Sequence, residues 1–439
     1  MFSLTSAEAL PFYGLLVTVV AIIVYGYMKD YGIFWSPLTI IAIIMAYYCL
    51  LGPYEAIVSN ETYDRLINMR KFYPAAFWGA WVSLLSIAAG FFMNSRSGLN
   101  VVFPRIPDEM LARYGKRVVI VSLVLFSFST GGNIVGFINP LDADAVSTSG
   151  SFSNYFLLSI NFLVPGICLL FAYWLKTRRQ FAWLVVATLI CVGLYLTLGF
   201  RYRIILLIGS LAITYYLAIG KRPNPILAPL LIGGLISLMG IINITRSYGS
   251  GLDTEKLEET DTEVYYKSGL RESMIFQTSG AVIATSSAKQ QYVGITPIVS
   301  TLLFPIPQRF YPQKNSAAYV LTILKSIYGD KYFQGSAFMA YGEHYLSFGW
   351  WGVVGWGLLI GWLYRRIWNW FSSNKSNLWV IVAYAVTVSF AFILLSRGYL
   401  PQVTMLFFFS VFPIYFVMGI VRRRFAFRVV SRPAPRVQS

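Results

Sequence analysis

Residues 304–361 decide how this chain is read. They run FPIPQRFYPQKN over 304–315, pass through an amphipathic stretch, and close with GEHYLSFGWWGVVGWGLLIG over 342–361. Arg309, Lys314, Glu343 and the only histidine, His344, therefore stand just ahead of a Gly- and Trp-rich segment able to enter a bilayer. Ionisable groups beside lipid are expensive to keep, which makes such a cluster a site hypothesis.

The rest of the chain supplies the bilayer context. With 57% hydrophobic, 17% aromatic and only 12% charged residues, there is more apolar surface than one soluble core can bury. Near-uncharged segments recur at about the 20-residue length of a spanning helix. The expected fold is all-α, a polytopic integral membrane bundle. Eleven transmembrane helices are expected, at 11–28, 32–51, 74–93, 118–138, 154–175, 181–198, 204–219, 226–244, 349–363, 378–395 and 403–420. This divides the chain into eight helices in 1–244, a long external loop at 245–348, three helices in 349–420, and a basic tail at 421–439.

Within the loop, 294–304 is apolar but too short to span, which suits a re-entrant or interfacial piece. The acidic run DTEKLEETDTE at 253–263 reads as a solvated helix start. Tyr265, Tyr266, Arg271, Glu272 and Phe276 fall at helical spacings in 264–291, the pattern of an amphipathic helix lying on the membrane. At the other end of the chain, Glu8 and the lack of any Lys or Arg before the first apolar run argue for a retained helix, since a cleavable signal opens basic. Cys49, Cys168 and Cys191 lie in apolar segments with no metal or disulfide spacing.

Orientation follows from the positive-inside bias. Alternate connections carry Lys29; Arg96, Arg105, Arg113, Lys116 and Arg117; Lys176, Arg178 and Arg179; Lys221 and Arg222; Arg365, Arg366 and Lys375; and six arginines of the tail. That side holds twenty basic and three acidic residues, which is the whole net charge of +17, while the other side balances fifteen against fifteen. The expectation is an external N-terminus, an external 245–348 loop and a cytoplasmic tail. A pI near 9.7 then reports topology and contact with anionic membrane lipids, and gives no reason to invoke nucleic acid.

Charges on the external side are few, so each is informative. Arg201 and Arg203 sit in LGFRYRII with almost no loop around them, Arg246 ends a helix in NITRSYG, and Arg397 lies in LSRGYLPQ between the last two helices. One reading makes them snorkelling anchors. The other gathers Arg201, Arg203, Arg246, Arg309, Lys314 and Arg397 as an anion site, because arginine's planar fork matches phosphate oxygens and stays charged in low dielectric. The substrate class inferred is a lipid phosphate or diphosphate. Glu343 and His344 are the external acid–base candidates: either can take a proton from a sugar hydroxyl, and either can equally serve as a hydrogen-bond or ion-pair partner. No P-loop, dinucleotide fingerprint, nucleophile elbow or Cys/His metal pattern occurs in context, so neither cofactor nor metal is expected.

The ordered runs GFRYRIILLIGSLAI, ITRSYG, FPIPQRFYPQKNSAAYVLT, GEHYLSFGWWGVVGWGLLIGWLYRR and LSRGYLPQ resemble the oligosaccharide repeat-unit polymerases of the Wzy type, which build O-antigen and capsule glycans. The likeness covers residue 198 onward; the first five helices match only in hydropathy. It implies a GT-C-like bundle related to the O-antigen ligases, in the bacterial inner membrane. It implies a metal-independent glycosyltransferase that moves a growing glycan from undecaprenyl diphosphate onto a lipid-linked repeat unit, with a chain-length regulator as protein partner. The family's Gly-x-Arg falls on Gly199, Phe200 and Arg201, its loop Arg on Arg246, and its Pro-x-x-x-x-Pro around Pro307, Arg309 and Pro312. Its acidic residue before Phe-Gly falls on Glu343, and its last-loop Arg on Arg397. One departure is that no Gly follows eleven residues after Arg201, Arg246, Arg271 or Arg309.

Other classes predict other patterns. A lipid-linked oligosaccharide flippase calls for charges through the midplane and repeat-related halves, whereas here the charges crowd one face. A ligase shares the donor but not the acceptor. A membrane O-acyltransferase using His344 needs its histidine near a cytoplasmic acyl donor, and His344 is expected outside.

Overall fold

The computed structural model describes residues 3–29, 31–60, 62–64, 67–93, 103–104, 106–129, 153–244, 262–270, 274–306, 310–311, 317–329 and 337–430. These are almost entirely helical; the one ladder is a two-residue antiparallel pairing, Tyr63 with Asn68 and Asp64 with Ile67. The protein is a polytopic helical membrane protein. Among the described residues, eight helices are long and apolar enough to cross a bilayer, namely Ala7–Met28, Pro37–Val58, Met69–Met93, Tyr155–Thr177, Arg201–Ile219, Ala340–Ser372, Leu378–Ser396 and Leu400–Arg424.

The other three expected spans are also helical but fall short of that standard. Glu109–Ser129 opens with Glu109, Arg113, Lys116 and Arg117 in its first turns, and the residues expected to complete its span lie outside the described ones. Phe181–Thr197 has 17 residues, and within Leu227–Ile244 the apolar run is Ile232–Ile242. Among the described residues, length and composition therefore yield eight spans where the hydropathy reading expects eleven.

Helices used below are numbered in chain order: α1 Leu10–Met28, α2 Pro37–Val58, α3 Tyr73–Met93, α4 Glu109–Ser129, α5 Leu163–Thr177, α6 Phe181–Thr197, α7 Arg201–Ile219, α8 Leu227–Ile244, α9 Thr262–Leu270, α10 Met274–Lys289, α11 Thr296–Leu303, α12 Ala318–Tyr328, α13 Ala340–Ser372, α14 Leu378–Ser389, α15 Ala391–Ser396, α16 Leu400–Ser410 and α17 Phe412–Val430.

Packing follows the rule for apolar surroundings, where small residues let backbones close up because no hydrophobic drive separates helix from lipid. A side chain at Gly361 of α13 would put its Cβ 2.0 Å from the Ile87 carbonyl of α3, and one at Gly90 would lie 2.2 Å from the Leu358 carbonyl. Gly357 faces Ser86, whose Cβ an added Cβ would meet at 2.6 Å. The two helices run parallel, in contact along most of α3. At the centre stands α14, capped by the Asn377 side chain accepting from Trp379 N–H at 3.1 Å; every residue from Trp379 to Ile393 is buried. Its many β-branched residues form a helix because backbone groups away from water must bond within the segment.

Contacts between connections sort the two ends of the bundle. Arg222 donates to the Lys29 carbonyl, Lys176 pairs with Asp108 at 2.6 Å, and Phe103 N–H donates to Asn374 Oδ1 at 2.7 Å. The first tie follows α7, whose other end carries Arg203, and the third lies just before α14, which leads through α15 to Arg397. The connections rich in Lys and Arg are thus joined to one another, away from the candidate site.

One expectation is corrected. The 264–291 stretch is not a single helix lying on a membrane but two helices, α9 and α10, and α10 is buried on all sides from Phe276 to Ile283. Its apolar and small residues pack against α3 and α13, and Gly280 allows approach to the Phe72 carbonyl, which a Cβ would meet at 2.4 Å. Arg271, Glu272 and the acidic run at 253–261 lie outside the described residues.

Candidate functional site

The site is built where α7 begins. Gly199 adopts φ +67, a left-handed conformation that glycine accepts at no steric cost, and it lets α6 turn directly into α7. Phe200 N–H closes that turn on the Tyr195 carbonyl at 2.8 Å. Arg201, Tyr202 and Arg203 then occupy the first turn of a 19-residue helix. Cations are disfavoured there, since the helix dipole already places positive charge at its N-terminus. Two arginines at that end make a concentration of positive potential that an anion would relieve.

Arg203 is only 3% exposed. Its guanidinium carbon lies 3.5 Å from the centroid of the Phe200 ring and 5.6 Å from that of Tyr202. Its Nε and Nη1 are buried without a hydrogen-bond partner. A buried charged donor left unsatisfied costs on the order of 1–3 kcal/mol or more. Arg201, beside it, is half-buried.

Arg397 comes to the same place from the turn between α15 and α16. Its guanidinium carbon is 5.1 Å from the Tyr202 ring centroid, so one tyrosine ring is shared by Arg203 and Arg397. Among the described residues neither arginine is ion-paired to a carboxylate. The turn itself is fastened at two points. Gly398 N–H donates to the Phe338 carbonyl at 2.7 Å, an approach that any side chain at 398 would block, since its Cβ would stand 2.5 Å from the Phe338 ring. Leu400 N–H donates to both oxygens of Glu343 at 3.0 Å each.

Glu343 is 3% exposed and also accepts from the Tyr319 hydroxyl of α12. Burial, and after it the neighbouring carboxylate, hold the Tyr319 phenol far above its ordinary range, so the phenol keeps its proton and is the donor. The carboxylate is occupied by Tyr319 and Leu400 and joins α12 and α13 to the Arg397 turn. His344, the next residue, goes elsewhere: its ring stacks on Trp356 of the same helix, centroids 5.4 Å apart and planes 13° apart, and its buried Nδ1 has no partner. The helix breaks between them at Phe348 (φ −140°) and Gly349 (φ +62°).

The structure thus brings together Arg203, Arg397 and, through the turn, Glu343, with Arg201 adjacent, and gives His344 different company. Arg246, Arg309 and Lys314 lie outside the described residues. The start of the FPIPQR stretch is nonetheless beside the Arg397 turn. The Phe304 and Tyr399 rings are 6.3 Å apart, and the Tyr155 hydroxyl donates to the carbonyls of Phe304 and Pro305 at 3.2 and 3.0 Å. Sequence reasoning misses Tyr202, Tyr319 and Gly398, and carries Phe200 only as the middle residue of the Gly-x-Arg element. The two aromatics interleaved with Arg201 and Arg203 carry a local signal. Tyr319 carries none, since its partner is 24 residues away.

Comparison of the chain with protein-family models, with curated proteins and with solved structures finds no match in any of the three.

Proposed function

We propose that the protein is a membrane glycosyltransferase of the polymerase kind, acting on oligosaccharides linked to undecaprenyl diphosphate at the outer face of the bacterial inner membrane. The carrying observation is the shared Tyr202 ring: a buried guanidinium with two unpartnered donor groups on one side, and a second guanidinium reaching the same ring from another helix. A diphosphate would satisfy those donors, and the low dielectric around them would strengthen the interaction as charge develops on the leaving group. In this reading the acceptor hydroxyl oxygen attacks the anomeric carbon and the bond from that carbon to the diphosphate oxygen breaks. The electron pair leaves with undecaprenyl diphosphate, and the hydroxyl proton goes to a nearby base.

Glu343, both of whose oxygens hold the Arg397 turn, is assigned as a positioning residue. The same proposal takes the eleven-helix, GT-C-like topology with an external N-terminus and a cytoplasmic tail, and a chain-length regulator as partner. It is tested by reconstituting the full chain in liposomes with synthetic undecaprenyl-diphosphate repeat units, where a ladder of products is expected. Arg203→Lys and Arg397→Lys should each lose about tenfold or more of the rate, because a point charge cannot replace a bidentate fork. Transbilayer movement of the substrate without any ladder would make the protein a flippase, and one-step transfer to a different acceptor would make it a ligase.

A further inference from the structure

The turn between α13 and α14 lies far from the arginine pair. The helical segment Leu378–Ser396 that leads from it to Arg397 has 19 residues and so measures about 28 Å. On the approach to that turn, Arg365, Asn369 and Ser372 follow one another in α13. Their spacing of four and then three residues sets them on one face of the helix, one above the next. All three residues are half-buried, and the atoms they cover are polar. Arg365 Nε, Asn369 Nδ2 and Ser372 Oγ are buried without a hydrogen-bond partner. The asparagines of the turn itself are differently placed. Asn374 Nδ2 donates to the Trp370 carbonyl at 2.8 Å while its Oδ1 accepts from Phe103 N–H at 2.7 Å, and Asn377 Nδ2 donates to the Pro104 carbonyl at 3.2 Å.

A desolvated donor carries a penalty that an acceptor removes, and the guanidinium adds a permanent positive charge to the set. Among the described residues Arg365 is not ion-paired to a carboxylate. Its guanidinium carbon lies 5.1 Å from the centroid of the Phe91 ring near the end of α3, a contact that holds the charge in place and supplies no acceptor. We propose that Arg365, Asn369 and Ser372 form a phosphate-binding site, separate from Arg203 and Arg397. The spacing suits that chemistry. Side chains one turn apart stand about 5–6 Å from each other, a gap that a tetrahedral phosphate bridges by accepting on opposite edges. A carboxylate offers its two oxygens on one edge only. Asn369, in the middle of the stripe, donates to the same phosphate as Arg365, and Ser372 reaches a further oxygen of the same ester. The negative end of the helix dipole opposes an anion only within the last turn, and Arg365 stands a full turn clear of it. The phosphate is that of a membrane phospholipid headgroup or of a soluble phosphate compound, two sources that share this chemistry and differ in their binding.

The test needs no turnover. Full-length protein, purified in detergent and stripped of bound lipid, is titrated with dioctanoyl phosphatidylglycerol, with inorganic phosphate, and with dioctanoyl glycerol, which lacks the phosphate. Binding is read by native mass spectrometry and by the thermal unfolding midpoint. Expected is saturable binding of the phospholipid or of inorganic phosphate and none of dioctanoyl glycerol. Arg365→Gln and Asn369→Leu should each weaken it by about tenfold or more through loss of contacts to a charged acceptor, and Ser372→Ala, the smallest change, should weaken it in the same direction. Arg366→Gln removes an equal charge from the next residue, whose guanidinium carbon lies 4.7 Å from the Trp362 ring centroid, and should bind as the parent does. Asn369→Leu also separates binding from folding. In the empty site it removes an unpartnered buried amide, so its midpoint without ligand should equal or exceed that of the parent; a lowered midpoint would give the amide a partner in the fold and count against the site. Binding of the phospholipid alone assigns the site to a lipid headgroup, and displacement of it by inorganic phosphate assigns it to soluble phosphate. Binding of neither, equal binding of dioctanoyl glycerol, or the same loss in Arg366→Gln as in Arg365→Gln would overturn the proposal.

Discussion

At the scale of single residues, the Glu343 carboxylate poses the sharpest question. A general base must meet the proton that it takes, yet both oxygens of Glu343 already accept from Leu400 N–H, and the Tyr319 hydroxyl adds a second donor. Positioning and base chemistry differ in what they demand. A brace needs an acceptor oxygen, which glutamine retains; a base needs a titrating group, which glutamine lacks. Glu343→Gln is therefore expected to keep its rate within about tenfold of the parent and Glu343→Ala to lose about a hundredfold or more. Tyr319→Phe should fall between them, since one hydrogen bond to a charged group is worth about 1.5–3 kcal/mol. The measurement is product formation by purified, reconstituted variants at matched protein levels. A loss of about 10²–10⁴-fold in Glu343→Gln, with lipid-linked substrate binding unchanged, would transfer the role from brace to base.

At the scale of elements, the pairing of α3 with α13 sets the height of the site, because α13 carries Glu343 on its first turn and is held to α3 through Gly357, Gly361 and Gly90. Gly361→Val would force the backbones apart at the Ile87 carbonyl, and overpacking of this kind costs about 1–3 kcal/mol. Gly355 lies on the same helix with nothing within 4 Å of its Cβ position, so Gly355→Ala is the control. Thermal unfolding in detergent should show a lowered midpoint for the first variant and none for the second. Equal midpoints would mean that the close approach is not a stabilising contact. Helices such as α13 and α14 are legible in the sequence because a spanning segment announces itself by length and lack of charge. Arg203, Arg397 and Glu343 are legible as charges in apolar surroundings. What is not legible is which partner each one meets. Tyr319 looks like any aromatic of an amphipathic run, and the burial of α10 depends on α3 and α13 closing over both of its faces, which no local periodicity encodes.

At the scale of the whole molecule, the charge division and the packing of connections bear on each other. The sequence assigns its whole net charge of +17 to one set of connections, and the structure ties members of that set together: Arg222 to Lys29, Lys176 to Asp108, and 103–104 to 374–377. Arg203 stands in the first turn of α7 and Arg397 follows α15, so the two arginines over the Tyr202 ring stand at the helix ends away from Arg222 and Asn377. Two connections in contact must lie on the same face of a bilayer, so each tie requires an even number of spans between its partners. By the positive-inside bias, the expectation is that this set faces the cytoplasm. Reporter fusions in bacteria are accordingly expected to report Gly249 and Lys331 as outside, and Lys375 and the tail after Arg424 as inside. An externally accessible tail would invert the bundle and leave the arginine pair facing the cytoplasm. In that orientation a glycan carrier displayed on the outer leaflet could not reach it, and the substrate class would have to be a phosphate-bearing lipid of the inner leaflet.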